Sequence, residues 1–149
     1  MRSNTRRATT VAVLATLLAG GAGAAHAAGA HFVPKATQAT WNGTVATVTF
    51  QEADVLLDGG ITTISVKVTA DVTVVCTKGQ STLRIRRSAT ATDVHDYPIS
   101  DDATAAATAT IPLEVRGLQA PGYTCTTQHT TITAVLEDFW TGATLTHKA

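Results

Sequence analysis

The densest set of titratable side chains in the sequence is Asp93-Val94-His95-Asp96-Tyr97, one imidazole between two carboxylates with a phenol beside them. Such a set invites a cation, but transition metals usually take three or four His, Cys, Asp or Glu ligands. Calcium asks for six or more oxygens from a defined loop, and no such loop pattern is present. A polar connecting loop is the plainer expectation for this segment. Were it a strand, alternation would put Asp93, His95 and Tyr97 on one face. The two geometries differ on whether Asp93, His95 and Asp96 can converge on one ion.

Arg84 and Arg86 lie two apart, hence on one face of a strand, with Arg87 beside them. Paired guanidinium groups can dock an anionic polymer, such as a teichoic-acid-like chain, through charge-assisted hydrogen bonds. A solvated face, or a bridge to Asp93 or Asp96 across a hairpin, is the simpler expectation. Among the seven aromatic residues from Ala28 onward, Trp41, Phe139 and Trp140 are the candidates for a contact surface. Large amphipathic rings are common interface anchors. Neighbouring strand residues face opposite ways, so one of Phe139 and Trp140 is expected at the surface. The segment Glu137–Gly142 is therefore the favoured contact site.

Catalysis is hard to build from what remains. A nucleophile needs a base, an orienting acid and an oxyanion site. Ser65, Ser81, Ser88 and Ser100, with His31, His95, His129 and His147, form no recognisable arrangement of that kind. The acid pairs Glu52 with Asp54 and Glu137 with Asp138 could be offered for glycoside cleavage, which depends on carboxyl separation across a cleft. Solvated turn acids are the expectation for them. No catalytic residue, metal or cofactor is assigned.

The elements that must carry these groups are strands. From Ile64, every second residue is apolar or Cys through Val66, Val68, Ala70, Val72, Val74 and Cys76, and the residues between are mostly polar. Period two over so long a run predicts a strand with one buried face. Ala105 to Val115 repeats the pattern, and Pro112 on its outward set favours an edge strand or a bulge. Weaker strands are expected at Thr44–Phe50, Leu83–Ala91, Thr130–Glu137 and Ala143–Thr146. Asn42-Gly43, Asp58-Gly59-Gly60, Lys78-Gly79, Ala120-Pro121-Gly122 and Thr141-Gly142 punctuate them. Thr supplies 25 of the 122 residues from Ala28 on, which suits half-exposed sheets. The expectation is an all-β, antiparallel, immunoglobulin-like β-sandwich of about seven strands.

The N-terminus reads as an export signal. Arg2, Arg6 and Arg7 precede the uncharged run Val11–Ala19, and Ala25-His26-Ala27 offers a small-x-small cleavage site before Ala28. Residues 1–27 are thus expected to be a signal peptide and 28–149 a single domain. No Cys follows the apolar run and no hydrophobic tail ends the chain, so secretion without a membrane anchor is expected. Losing three arginines leaves eight basic residues against eleven acids, a net charge of −3. That balance disfavours nucleic acid, which wants a basic face. In an exported chain, Cys76 and Cys125 are expected to pair.

The spacing Tyr123-x-Cys125 resembles the corner of immunoglobulin-like domains, where Tyr precedes the second Cys by two. That likeness implies a disulfide between the two sheets, although no Trp follows Cys76 at the corresponding distance. Over nearly the whole chain, the layout resembles small secreted Thr/Ala-rich actinobacterial proteins of unknown function. Its marks are the signal, His31-Phe32-Val33, Val72–Cys76, Pro121–Cys125 and Glu137–Trp140. The resemblance implies an extracellular β-rich protein and carries no catalytic residue with it. The function expected is that of a non-enzymatic extracellular binding module, meeting a cell-wall polymer, a secreted protein or another copy of itself. A secreted enzyme, an enzyme inhibitor and a structural matrix component are the alternatives.

Overall fold

In a computed structural model describing residues 29–149, the alternating run from Ile64 is the centre of a strand, β4, spanning Ile61–Lys78. Its even-numbered residues from Thr62 to Cys76 are all buried and its odd-numbered ones are not, as period two requires. The other strands are β1 (His31–Phe32), β2 (Gln38–Trp41), β3 (Val45–Ala53), β5 (Ser81–Pro98), β6 (Ala105–Pro112), β7 (Thr124–Asp138) and β8 (Thr144–Lys148). The expected signal peptide and its cleavage site lie outside the described residues. Among the described residues, no helix is long and apolar enough to cross a membrane.

The strands form two antiparallel sheets. In the first, β3 is central, with β1 and β2 sharing one of its edges and β6 on the other. The second has the order β5-β4-β7-β8. Both inner faces feed one core, in which Ala46, Val48, Phe50 and Ile111 of the first sheet oppose Ile64, Val66, Val68, Ala134 and Leu136 of the second. The expected β-sandwich is what forms, with eight strands. As an edge strand pairing only with β3, β6 accommodates Pro112 at its last position. Outward threonines pair across strands, Thr69 with Thr90 at 2.9 Å and Thr49 with Thr108 at 3.1 Å.

Two local expectations are corrected. The segment Asp93–Tyr97 is no loop: β5 continues through it to Pro98, held by the full length of β4. The disulfide does form, but Cys76 and Cys125 face each other on neighbouring strands of the second sheet, so it does not bridge the two sheets. The reason is a bulge. Register between β4 and β7 slips at Thr73/Val74, leaving Gln128 as an extra residue between Thr127 and His129. One added residue reverses the phase of everything beyond it. Thus Ile132 and Ala134 face the core at even numbers, while Cys125 meets the inward Cys76 at an odd one.

Beyond the end of the first sheet, β4, β5 and β7 run on as a three-stranded arm. Its inner side is lined by the segment 113–123, which buries Leu113 and Val115 in the same core as Val72 and Val74. Gly117, at φ +76°, approaches so closely that an added Cβ would lie 3.1 Å from Arg87 Nε. The disulfide staples this arm. Replacing both cysteines by Ala should lower unfolding free energy by roughly 2–4 kcal/mol, because a closed loop of this length restricts the unfolded chain. Denaturant titration checks this, with the far-UV spectrum expected to stay that of a β protein.

Candidate functional site

At the end of the sandwich opposite the arm, two acids stand among apolar neighbours. Glu52 follows Ala46, Val48 and Phe50 along the inward set of β3, and Asp138 follows Ala134 and Leu136 along that of β7. Both are fully buried, so the expectation that they are solvated turn acids is overturned for this pair. Asp54 and Glu137, their sequence neighbours, are exposed as expected. Desolvation makes an unpaired buried carboxylate costly, so each acid must find partners.

Asp138 finds them in its own turn. Its Oδ1 accepts from the backbone N–H of Trp140 at 2.7 Å and of Thr141 at 3.1 Å, and its Oδ2 accepts from the hydroxyl of Thr62. Burial pushes the Asp138 carboxyl up, but these hydrogen bonds outweigh it and hold the group below its ordinary range. Among the described residues, Glu52 receives only one donor, the Thr141 hydroxyl at 2.9 Å to Oε1, and its Oε2 is buried with no donor. Burial, and then the hydrogen bond to Asp138, raise Glu52 to about 7. Below that pH, Glu52 carries the proton and donates to the Asp138 carboxylate. The pair brings together one carboxyl from each sheet.

This pair anchors the turn between β7 and β8. The Asp138 backbone N–H donates to Ala143 O and Gly142 N–H to Asp138 O, both at 2.9 Å, while Thr141 Oγ1 also accepts from Ala143 N–H at 3.2 Å. A side-chain oxygen capping its own following residues is the usual role of Asp at a turn. Gly142 takes φ +75°, the left-handed conformation that glycine adopts without strain.

The turn presents Trp140, 69% exposed, and Phe139, 54% exposed. Alternation would have hidden one of them, but β7 ends at Asp138 and both reach solvent. Trp140 is not loose. Its indole N–H donates to Thr63 Oγ1 at 3.0 Å, and Thr63 donates in turn to Asp96 Oδ1 at 2.6 Å. With its polar atom occupied, the ring lies along a groove of about 380 Å³ formed by Leu57, Asp58, Gly59, Ile61, Thr63 and Asp96. Ile61 and the adjoining Leu56 are also exposed.

The remaining candidates lie elsewhere. Trp41 is half-buried near the opposite end of the sandwich, where its indole N–H donates to Leu113 O at 2.7 Å; it covers the end of β6. Arg84 and Arg86 share the outer face of β5, on the arm, and Arg87 points the other way toward Gly117. Asp93 and Asp96 lie farther along the same strand, and none of these three arginines forms a salt bridge among the described residues. Asp93 Oδ1 and His95 Nε2 sit 3.2 Å apart on the inward set of β5 beside Tyr97, whereas Asp96 is on the other face with Thr63. Asp93, His95 and Asp96 therefore do not converge, and no group of three potential metal ligands occurs among the described residues.

No protein-family model, curated protein or solved structure matches the chain.

The pH dependence of stability follows from Glu52. Its folded value lies above the ordinary 4.5, so between 4.5 and about 7 the folded protein holds a proton that the unfolded chain has released. Stability should fall as pH rises through that window and level off above it. Asp138, held low, acts oppositely, and its contribution is lost only in stronger acid. Glu52→Gln keeps a donor facing Asp138 and an acceptor facing Thr141. Melting curves of this variant should match wild type at pH 5 and exceed it at pH 8.

Proposed function

We propose that this is a secreted, non-enzymatic binding module that meets its partner through the Trp140 end of the sandwich. The observation that carries the reading is the ring itself, mostly solvent-facing yet fixed by its indole N–H and by the backbone bonds of its turn. A rigid aromatic loses little conformational freedom on binding, and such residues dominate interface energetics. The groove beside it supplies apolar contact at Ile61 and Leu57 and acceptors at Asp58 and Asp96. Export fits a disulfide between two cysteines far apart in sequence, a bond favoured in oxidising compartments. The likeness to secreted Thr/Ala-rich actinobacterial proteins points the same way.

The buried acids favour binding over catalysis in this reading. A carboxyl pair sharing a proton is the equipment of several hydrolases, but Glu52 and Asp138 have no exposed surface and their donors are spent on the turn. They act as a brace.

Isotope-labelled protein titrated with cell-wall polymer fragments and with purified secreted proteins should show amide and indole shifts gathered at Leu57, Asp58, Ile61, Asp96 and Trp140. Trp140→Ala should weaken that binding by roughly 30-fold or more, the loss of a hot-spot residue, while its melting temperature stays near wild type. Shifts confined to other surfaces, or binding indifferent to Trp140, would overturn the assignment.

A further inference from the structure

The charges of this molecule are sorted along its length. At about 3.3 Å per residue, the 18 residues of β4 span roughly 55–60 Å. At the Trp140 end stand Asp54, Asp58, Asp96, Asp101, Asp102 and Glu137, all exposed, with no Lys or Arg in the groove or in the loops 54–60 and 99–104 beside it. Among the described residues, Lys78, Arg84, Arg86, Arg87 and Arg116 stand at the arm, accompanied only by Asp71 and Glu114. Glu114 is already taken by Arg116 at 3.1 Å. Lys67 and Lys148 lie about midway, and Lys35 is on the edge of the first sheet.

Each end also carries a groove, and the two differ in the charges that line them. Arg86 and Arg87 rim a second groove, of about 420 Å³, with Asp71, Thr73 and His129. Exposed Leu83 is on the same strand but on the face opposite Arg84 and Arg86, whereas Leu56, Ile61 and Trp140 stand around the acidic groove. A guanidinium over an indole face with carboxylates alongside is a favourable pairing in partly desolvated surroundings. Opposite potentials on two distinct patches of one molecule steer copies into a head-to-tail contact, and such a contact repeats rather than closing at two.

We infer that the partner of the Trp140 end is the basic arm of a second copy of this chain, so that the protein assembles head to tail. This rests on the reading of that end as a contact surface and names its occupant. Arg84 and Arg86 of one copy face Asp58 and Asp96 of the next, with Trp140 packed between. The contact is electrostatically steered and weakens with salt.

Sedimentation velocity of the purified protein over a range of concentrations tests this directly. At about 20 mM salt the weight-average mass should grow with concentration, and association should weaken about tenfold or more near 0.5 M, where screening is short-ranged. Arg84→Glu with Arg86→Glu should be monomeric, and so should Asp58→Lys with Asp96→Lys. Mixed in equal amounts, the two variants regain complementary ends and should assemble again, a rescue that misfolding would not allow. A wild type that stays monomeric at low salt, or variants that assemble alone as well as wild type, would overturn the inference. Should the monomer still bind an added polymer or protein through Trp140, the binding reading stands and only the second copy is excluded as its partner. Polyphosphate binding to the arm without self-association would likewise overturn it.

Discussion

Glu52, raised to about 7, and Asp138, held low, meet in the core, and much of the molecule hangs on that contact. One acid belongs to each sheet, so their hydrogen bond ties the layers together at a point where apolar packing would otherwise be expected. Asp138 has a second duty, capping the backbone of the turn that follows it, and Thr141 in that turn reaches back to Glu52. The turn is therefore fixed to the core rather than resting on it. Two ionised carboxylates in such a place would repel with little solvent to screen them, and the interior would have to open or take up a proton. Holding Asp138 charged and Glu52 protonated resolves the conflict, although Glu52 Oε2 accepts no hydrogen bond among the described residues.

Rigidity passes from that contact to the surface through few atoms. The turn fixes the Trp140 backbone, and Thr63 fixes its ring through the indole N–H, with Asp96 orienting the hydroxyl. Thr63 itself is held because β4 is paired on both sides at this end, to Asp96 of β5 and, one residue on, from Ile64 to Asp138 of β7. At the other end, the disulfide between β4 and β7 does comparable work for the arm, which among the described residues has no facing sheet and is lined by the segment 113–123. The sandwich is thus braced at each end by a polar or covalent device, with the apolar core between.

Much of this was legible in the sequence, because alternation is a strong signal when it is long. The buried face of β4, the edge position of β6 and the pairing of the cysteines follow from residue spacing and type. The same signal ran on to the two acids: Glu52 is in phase with Val48 and Phe50, and Asp138 with Ala134 and Leu136. Chemistry argued for solvation and phase for burial, and phase prevailed because Thr62, Thr141 and two backbone N–H groups were in reach. What spacing alone could not reveal was the bulge at Gln128. One unpaired residue there turns Cys125 inward and makes the disulfide a bond within one sheet. Nor could it separate Trp41 from Trp140, since which tryptophan finds a buried acceptor and which reaches solvent depends on contacts made between distant segments.

The most direct measurement is a carbon-detected NMR titration of the side-chain carboxyls, followed together with the Trp140 indole resonance. Glu52 should titrate with a midpoint near 7, Asp138 should stay ionised through that range, and the Trp140 indole signal should move with the same midpoint. A Glu52 midpoint in the ordinary range near 4.5, or a Trp140 signal unmoved while Glu52 titrates, would contradict the claim that this carboxyl pair holds the contact site in place.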